Sequence, residues 1–284
     1  MSVFNIDCEL DYDVLAQTLF LFNIGAQTDD HQRVVSESIS SEPSYRWDEI
    51  GEAGTTNRLF RIDVPPGPFS IRYIAKVEVN SPEPDSSAPE VPIAQLPGDA
   101  LPFLRASRYC ESDQLFHLAV RRFGQAPRGY ARVQAICAWI RENIDYVIGT
   151  SSLSYSARDV LAQRAGVCRD FAHLAVTFCR ALNIPARFVT GYARYAEPPP
   201  DFHAVFEAFL GDRWYLFDPT ELSPTRDLVR IGSGRDASEV PFATFFGAAR
   251  LRRLSPLVEL AAADESPDVL VPLQTPDAGI LLAA

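Results

Sequence analysis

Six prolines within residues 82–102 divide this chain and limit what it can fold into. The stretch reads SPEPDSSAPEVPIAQLPGDALP from Ser81 to Pro102. Proline lacks a backbone N–H and fixes its own φ, so a segment this rich in proline can neither enter a sheet ladder nor continue a helix. We therefore expect an extended linker over residues 82–102, with a separate structural unit on each side.

The segment before the linker has the pattern of short β-strands. β-branched and aromatic residues alternate or cluster in VFNIDCEL, HQRVVSESIS, TTNRLFRIDV and FSIRYIAKVEVN. Turn-forming residues separate these stretches, including Glu42-Pro43 and the Pro-Pro-Gly-Pro run at 65–68. The pattern predicts a small antiparallel β-sandwich or sheet over residues 1–81, in which residues 11–22 fit either a strand or a short helix.

The periodicity changes from strand-like to helical after the linker. Apolar residues recur at helical spacing over residues 129–144, and shorter helices are predicted over 113–123, 157–165 and 168–182. Three strand-like segments follow, ARFVTGYARY, HAVFEAFL and RWYLFDP. We therefore expect residues 103–284 to form a second unit.

Composition and charge exclude some functional classes. Apolar residues make up 47% of the 284 and charged residues 22%, which is typical of a globular protein and not of a disordered chain. The formal net charge is −11, and the whole acidic excess falls in residues 1–102. A duplex nucleic-acid binder needs the opposite sign on its contact face, so we expect no nucleic-acid partner.

The N-terminus and the cysteines bear on cellular location. MSVFNIDCEL lacks the basic start of a signal peptide, and no run approaches the roughly 20 apolar residues of a membrane span. Five cysteines, an odd number spread over a long chain, do not resemble a disulfide framework. These features predict a cytoplasmic protein with no membrane partner, and they leave its oligomeric state open.

Cys168 is the first candidate for chemistry. In AGVCRDF, Gly166 breaks the preceding pattern and places Cys168 at or near the first turn of an apolar helix. Unpaired N–H groups and the helix dipole favour an anion there, so a thiolate would be stabilised and could act as a nucleophile. Taken alone, packing is the commoner role of a cysteine in an apolar helix, and we expect that role for Cys137 and Cys179.

Two residues downstream strengthen the case for a nucleophile. The segment HAVFEAFLGDRWYLFDP predicts a hairpin with a two-residue turn at Gly211-Asp212. Such a turn pairs Val205 with Asp218, and His203 then shares a face with Asp218 within reach of a hydrogen bond. A carboxylate in this position would fix the tautomer of the histidine and stabilise its protonated form.

The sequence gives no comparable support for a metal or nucleotide site. Zinc sites need thiolates and imidazoles at spacings such as Cys-x-x-Cys, which do not occur here. The glycines at 191, 232 and 234 do not follow the phosphate-loop pattern. We expect no cofactor or metal, a packing role for His173, and a loop over residues 232–236.

The order Cys, His, Asp and its flanking residues resemble the transglutaminase-like superfamily of papain-type cysteine enzymes. The resemblance rests on Cys168 in GVCRDFAHL, His203 in FHAVFEAFLGDRWYLFDPT and Asp218 in its Asp-Pro, separated by 34 and 15 positions. RIGSGRDASEVPF at residues 230–242 extends it. The N-terminal strands are similar to those of bacterial members with an N-terminal β-domain.

The resemblance implies an α+β fold and a catalytic triad. An antiparallel β-sandwich-like domain over residues 1–81 would precede a core, within residues 103–284, of helices packed on an antiparallel sheet. Cys168, at a helix N-terminus, would be the nucleophile, His203 the general base and then acid, and Asp218 the group that orients His203.

The resemblance also implies an oxyanion site next to the nucleophile. The backbone N–H of Cys168 would supply one donor, and a second would come from upstream. Tyr146 and Tyr155 are candidates for that donor or for lining the site. Asp170, two residues after the nucleophile, fits a helix-terminus charge better than a catalytic group.

Three functions are compatible with this fold. A peptidase or amidase would hydrolyse a peptide or protein amide through a thioester acyl-enzyme, and a transglutaminase would let an amine intercept that intermediate. A non-catalytic binding module would keep the fold alone. The intact triad argues against the third, and hydrolysis is favoured over transfer because water needs no dedicated acceptor site.

Overall fold

The N-terminal part of the chain is built from six antiparallel strands. The computed structural model describes residues 2–51, 54–195 and 201–261. The strands are β1 (Ser2–Val14), β2 (Thr18–Phe22), β3 (Gln32–Glu42), β4 (Trp47–Gly51), β5 (Arg58–Val64) and β6 (Gly67–Val79). Of residues 11–22, for which the sequence left strand and helix open, residues 11–14 therefore end β1, residues 18–22 form β2, and residues 15–17 connect the two strands.

The alternation of side chains in β1 shows why these segments form strands. Along the strand, every second side chain is buried, with Phe4, Ile6, Cys8 and Leu10 enclosed in the core. A period of two places alternate side chains on one face of a sheet. β6 alternates in the same way and pairs with β1 along its whole length, so both contribute to one apolar layer.

The second part combines four helices with six strands. The helices are α1 (Phe116–Phe123), α2 (Tyr130–Asn143), α3 (Ala157–Gln163) and α4 (Cys168–Ala181). The strands are β7 (Asp145–Tyr146), β8 (Ala165–Gly166), β9 (Ala186–Tyr192), β10 (His203–Leu210), β11 (Arg213–Phe217) and β12 (Val229–Gly234). No helix in the described parts of the chain is both long and apolar enough to cross a membrane.

Helix α4 is the centre of this second part. Every residue from Asp170 to Ala181 is buried, and α4 packs on the antiparallel sheet β11-β10-β9-β12. Phe206 and Ala208 of β10 share one hydrophobic core with α1, α2 and α4. The chain is therefore a mixed helix and sheet protein with antiparallel sheets, as expected.

The last two strands return to the N-terminal sheets. β13 (Ala243–Phe246) pairs with β2, and β14 (Ala249–Leu260) pairs with β1. The resulting four-stranded sheets have the orders β13-β2-β5-β4 and β14-β1-β6-β3. The prediction that residues 103–284 form one unit therefore does not hold for residues 243–260. Their strand pattern indicates pairing, but it does not encode which distant edge they join.

The proline-rich segment is packed and does not act as a free linker. The carbonyl of Ala88 accepts a hydrogen bond from the Tyr130 N–H at 2.9 Å, and that of Pro89 accepts one from the Gly211 N–H at 2.9 Å. Ala88 is buried against the helical core. The expected spacer over residues 82–102 thus follows a fixed path over α2 and the β10–β11 hairpin, because its carbonyls remain free to accept hydrogen bonds.

Side-chain amides from the N-terminal part cap the free edge of β12. The Gln32 amide accepts from the Arg230 N–H at 2.7 Å and donates to the Arg230 carbonyl at 2.8 Å. The Asn57 amide pairs with the backbone of Ser233 in the same way, at 2.9 and 3.1 Å. These contacts satisfy backbone groups that a strand edge otherwise leaves unpaired. Residues 232–234 are therefore strand, not the predicted loop.

Candidate active site

Cys168 is the first residue of α4, as the sequence predicts. Val167 before it has an extended backbone, with φ −119° and ψ −176°. The carboxylate of Asp170 accepts a hydrogen bond from the Val167 N–H at 2.9 Å and holds the chain at this turn. Gly166 permits this approach, because a Cβ built there would lie 2.7 Å from the Cβ of Asp170. Asp170 therefore stabilises the helix start.

The β10–β11 hairpin has the predicted register. Leu210 lies opposite Arg213 across the turn that begins at Gly211. This register brings Nε2 of His203, the first residue of β10, to 2.8 Å from Oδ2 of Asp218. Both side chains are buried, so water competes little for this hydrogen bond.

Thr220 orients the other oxygen of Asp218. Its backbone N–H and its hydroxyl donate to Asp218 Oδ1 at 2.8 and 2.7 Å. Burial raises the pKa of Asp218, but the hydrogen bonds from His203 and Thr220 lower it, and the net direction is downward. The carboxylate is thus ionised and fixed on both oxygens. Thr220 was not predicted from the sequence, although an Asp followed two residues later by Thr is a turn signal.

His203 is held in its protonated form. Burial lowers the pKa of His203, but the hydrogen bond with Asp218 and the neighbouring Cys168 sulfur raise it, to about 10 overall. Nδ1 is buried and forms no hydrogen bond of ordinary geometry with a described residue, while the sulfur lies beside the ring. The arrangement places a protonated imidazole ring next to the Cys168 sulfur at neutral pH.

Cys168 differs from the other four cysteines in its exposure. It is partly exposed, whereas the others are buried, and all five are free thiols. Burial raises the pKa of Cys8 and of Cys110 to about 12. Burial also raises the pKa of Cys137 and Cys179 above the ordinary range. These four thiols stay protonated at neutral pH and fit the packing role expected of cysteines in apolar surroundings.

The short pair of β7 and β8 carries Tyr146 to the site. Tyr146 lies opposite Gly166 in this parallel pair, and the Val147 N–H donates to the Gly166 carbonyl at 3.0 Å. Burial and the neighbouring Cys168 raise the pKa of Tyr146, whose hydroxyl contacts both the sulfur and the backbone of Cys168. A protonated hydroxyl donor is therefore available beside Cys168.

Tyr195, and not Tyr155, is the second tyrosine at the site. The Tyr155 carbonyl accepts a hydrogen bond from Arg169 at 3.4 Å, and no contact within the described residues joins its side chain to Cys168. The Tyr195 ring centroid lies 5.5 Å from that of His203, and burial together with Cys168 raises the Tyr195 pKa. Tyr195 follows β9, and the pairing of β9 with β10 brings it close to His203. No sequence motif predicts this strand pairing.

His173 packs inside α4, as expected. Its Nε2 accepts a hydrogen bond from the Ala237 N–H at 3.1 Å, and its ring stacks on Tyr109 with centroids 5.0 Å apart. Burial lowers the pKa of His173 to about 3, so the ring is neutral. Within residues 2–51, 54–195 and 201–261, no group of three or more His, Cys, Asp or Glu side chains is arranged to hold a metal ion.

Comparisons with known proteins identify the family of this chain. Residues 117–219 match the sequence profile of the transglutaminase-like superfamily, and residues 2–99 match that of the bacterial transglutaminase N-terminal domain. A crystal structure of a candidate cysteine protease from Cytophaga hutchinsonii is 39% identical, with a TM-score of 0.87 and coverage of 94% of this chain and 93% of that one. The chain belongs to the transglutaminase-like superfamily.

This transglutaminase-like protein is also similar to two mycobacterial proteins. An uncharacterized protein of Mycobacterium leprae is 29% identical over 220 residues, which are 72% of this chain and 76% of its own length. An uncharacterized protein of Mycobacterium tuberculosis is 32% identical over 117 residues, which are 36% of this chain and 37% of its own length. The names of these two relatives state no activity.

Proposed function

We propose that this transglutaminase-like protein is a cysteine-dependent amide hydrolase, a peptidase or amidase. The observation that supports this most strongly is the 2.8 Å hydrogen bond between His203 and Asp218, with the partly exposed Cys168 beside the ring. A raised histidine pKa next to a thiol at a helix start favours a thiolate–imidazolium pair. Such a pair is the nucleophile and proton donor that amide cleavage requires.

The first half of the proposed reaction forms a thioester. The Cys168 thiolate attacks the amide carbonyl carbon, and the oxygen gains negative charge that, in this proposal, the Cys168 backbone N–H and the Tyr146 hydroxyl stabilise. The C–N bond then breaks, and the imidazolium of His203 gives its proton to the departing amine. Asp218 holds the ring in one orientation and stays ionised throughout.

The second half releases a carboxylic acid and restores the enzyme. The now neutral His203 takes a proton from water, whose oxygen attacks the thioester carbonyl carbon. The C–S bond breaks, so that Cys168 becomes a thiolate again, and the carboxylic acid releases its remaining proton to the solvent as it leaves as a carboxylate. The protonated His203 then lies beside it as at the start.

An amine in place of water would make the protein a transglutaminase, and a single trapping experiment separates the two reactions. A panel of peptide acyl donors is incubated with the protein, and intact mass is recorded before and after an amine is added. We expect an acyl adduct on Cys168 that water removes. Faster removal by the amine, with an amide as product, would assign transfer instead. If no donor gives an adduct that Cys168→Ala abolishes, the chain is a non-catalytic module.

We further propose a papain-type core and a β-sandwich-like N-terminal domain. The N-terminal sheets share one hydrophobic core, and α4 presents Cys168 to the sheet that carries His203. The proposed substrate is a peptide or protein amide. A reducing cytoplasm is the compartment that suits five free thiols, one of which must stay reduced for catalysis.

A further inference from the structure

A cleft that is not lined by Cys168 lies where the N-terminal part and the proline-rich segment meet the β10–β11 hairpin. It has a volume of about 400 Å³ and is lined by polar side chains that include Ser81, Glu83, Arg213, Thr225, Arg226 and Arg230. Trp214, Tyr215 and Leu216 also line it.

Two arginines share one buried carboxylate beside this cleft. The Glu207 carboxylate is buried and pairs with two guanidinium groups, Arg187 at 2.6 Å and Arg230 at 3.1 Å. One carboxylate therefore balances two cations. Arg230 is 7% exposed, and its Nη1 has no hydrogen-bond partner among the described residues. A buried charge without a full set of partners is costly, so a negative ligand in the cleft would lower the energy of this cluster.

Two further arginines, Arg226 and Arg213, line the cleft. Arg226 is 72% exposed, and the carboxylate nearest to it in an ion pair is Asp227 at 3.9 Å, beyond hydrogen-bond length. Arg213 stacks on Tyr215 with its guanidinium carbon 4.7 Å from the ring centroid. Guanidinium groups are weakly hydrated and bind oxyanions through two N–H donors at once.

Carboxylates near the cleft neutralise part of its positive charge. Among the lining residues Glu83 is the one carboxylate. Asp85 and Asp212 lie near Arg213, and their charges interact with it. The whole chain carries a net charge of −11, so three arginines around one cleft do not reflect a generally basic protein.

From this geometry we infer that the cleft is a binding site for a small multivalent oxyanion, of the phosphate or polycarboxylate class. The guanidinium groups of Arg213, Arg226 and Arg230 supply positive charge, and Ser81 and Thr225, which also line the cleft, supply hydroxyl donors. A ligand with several oxygens would contact more than one arginine, which a chloride ion cannot do. The site binds independently of the chemistry at Cys168.

Calorimetric titration of the full-length protein tests the inference. Pyrophosphate and citrate are titrated separately at constant ionic strength, with chloride as the reference anion. We expect saturable one-to-one binding of at least one of the two, and the preferred anion identifies phosphate or carboxylate as the ligand class. Absence of saturable binding by both anions overturns the inference.

Two variants that change the charge of the cleft in opposite directions test whether the anion binds there. Arg226→Gln removes one exposed charge and should weaken binding by about fivefold or more, since contacts between charged groups are the strong ones. Glu83→Gln removes the lining carboxylate and should strengthen it. Arg121→Gln, on the exposed surface of α1, is the matched control. If both cleft variants bind like the control, the anion binds elsewhere and the assignment to this cleft is wrong.

Discussion

At the scale of single residues, Cys168 differs from the other four cysteines in its surroundings. The other four cysteines are buried, and burial raises their pKa values. Cys168 is partly exposed and lies beside a protonated histidine. One polypeptide thus contains thiols of two kinds, and only the position of each residue in the fold distinguishes them.

Limiting alkylation at neutral pH should therefore label one cysteine. We expect iodoacetamide to modify Cys168 at least about tenfold faster than Cys8, Cys110, Cys137 or Cys179, because the thiolate is the reactive form. Peptide mapping after short exposure measures the ratio. The variant His203→Ala should lose most of this preference, and equal labelling of several cysteines in the unaltered protein would refute the proposed pair.

The ionisation of His203 gives a second prediction at this scale. We expect ¹⁵N NMR of the four histidines to show His203 protonated through neutral pH, with a midpoint near 10, and His173 neutral above its pKa of about 3. Because folding raises the pKa of His203 from 6.5, its protonation stabilises the fold fully below pH 6.5. That contribution is lost as pH rises through about 10.

The variant Asp218→Asn assigns the cause of this shift. It removes the carboxylate that raises the pKa of His203, so the midpoint of that ring should move to lower pH while that of His173 stays unchanged. Asp218→Ala should lower the turnover rate less than Cys168→Ala does, because it disturbs the orientation of His203 but leaves the Cys168 nucleophile in place. An unshifted His203 midpoint would mean that Asp218 does not control the ring.

At the scale of elements, the start of α4 depends on the short turn before it. Gly166 lies in β8 opposite Tyr146, and Asp170 closes the turn from inside the helix. Three features therefore meet within one helical turn: the strand pair that positions Tyr146, the carboxylate that holds Val167, and the nucleophile itself. We expect a change in any of them to alter the reactivity of Cys168.

Replacing Gly166 with alanine tests this dependence. The new Cβ would lie 2.7 Å from the Asp170 Cβ and 2.9 Å from its Oδ2, so the carboxylate must move. We expect a loss of about 1–3 kcal/mol in the free energy of unfolding, typical of overpacking, together with slower alkylation of Cys168. Chemical denaturation and peptide mapping measure the two effects. Gly98→Ala, where nothing lies within 4 Å of the added atom, is the control and should change neither.

At the scale of the whole molecule, the N-terminal part and the second part are joined by strand pairing and a shared hydrophobic core, in addition to the proline-rich segment. β14 lies beside β1, and Tyr192, Val229 and Ile231 of the second part belong to the same hydrophobic core as β1–β6. The amides of Gln32 and Asn57 add hydrogen bonds to the β12 edge. Removal of the N-terminal part would expose this core and leave β13 and β14 without their partner strands.

A fragment that begins at residue 103 should consequently fail to fold on its own. We expect it to aggregate or to lose the selective reactivity of Cys168, and co-expression with residues 1–102 to restore both properties. Size-exclusion chromatography and alkylation give the two readouts. In the intact protein, proteolytic cleavage within residues 82–102 should yield two pieces that elute together. A monomeric fragment with selective labelling would show that the second part is autonomous.

The sequence alone determined the features that depend on local geometry. A glycine break before an apolar segment located the start of α4, and a two-residue turn with a period of two fixed which residues share a face of the hairpin. These rules act over a few residues, and they were sufficient to place Cys168, His203 and Asp218 and to predict the contact between the last two. The same rules also identified most helices and strands in the second part.

Only the tertiary structure decided the features that join residues distant in sequence. The sequence did not assign β13 and β14 to the N-terminal sheets, select Tyr195 instead of Tyr155, or bring Arg187 and Arg230 to one carboxylate. Each of these contacts depends on which strand edges and side chains remain unpaired after the rest of the chain has packed. Local periodicity records whether a residue faces a core, but the identity of its neighbour is set by the packing of the whole molecule.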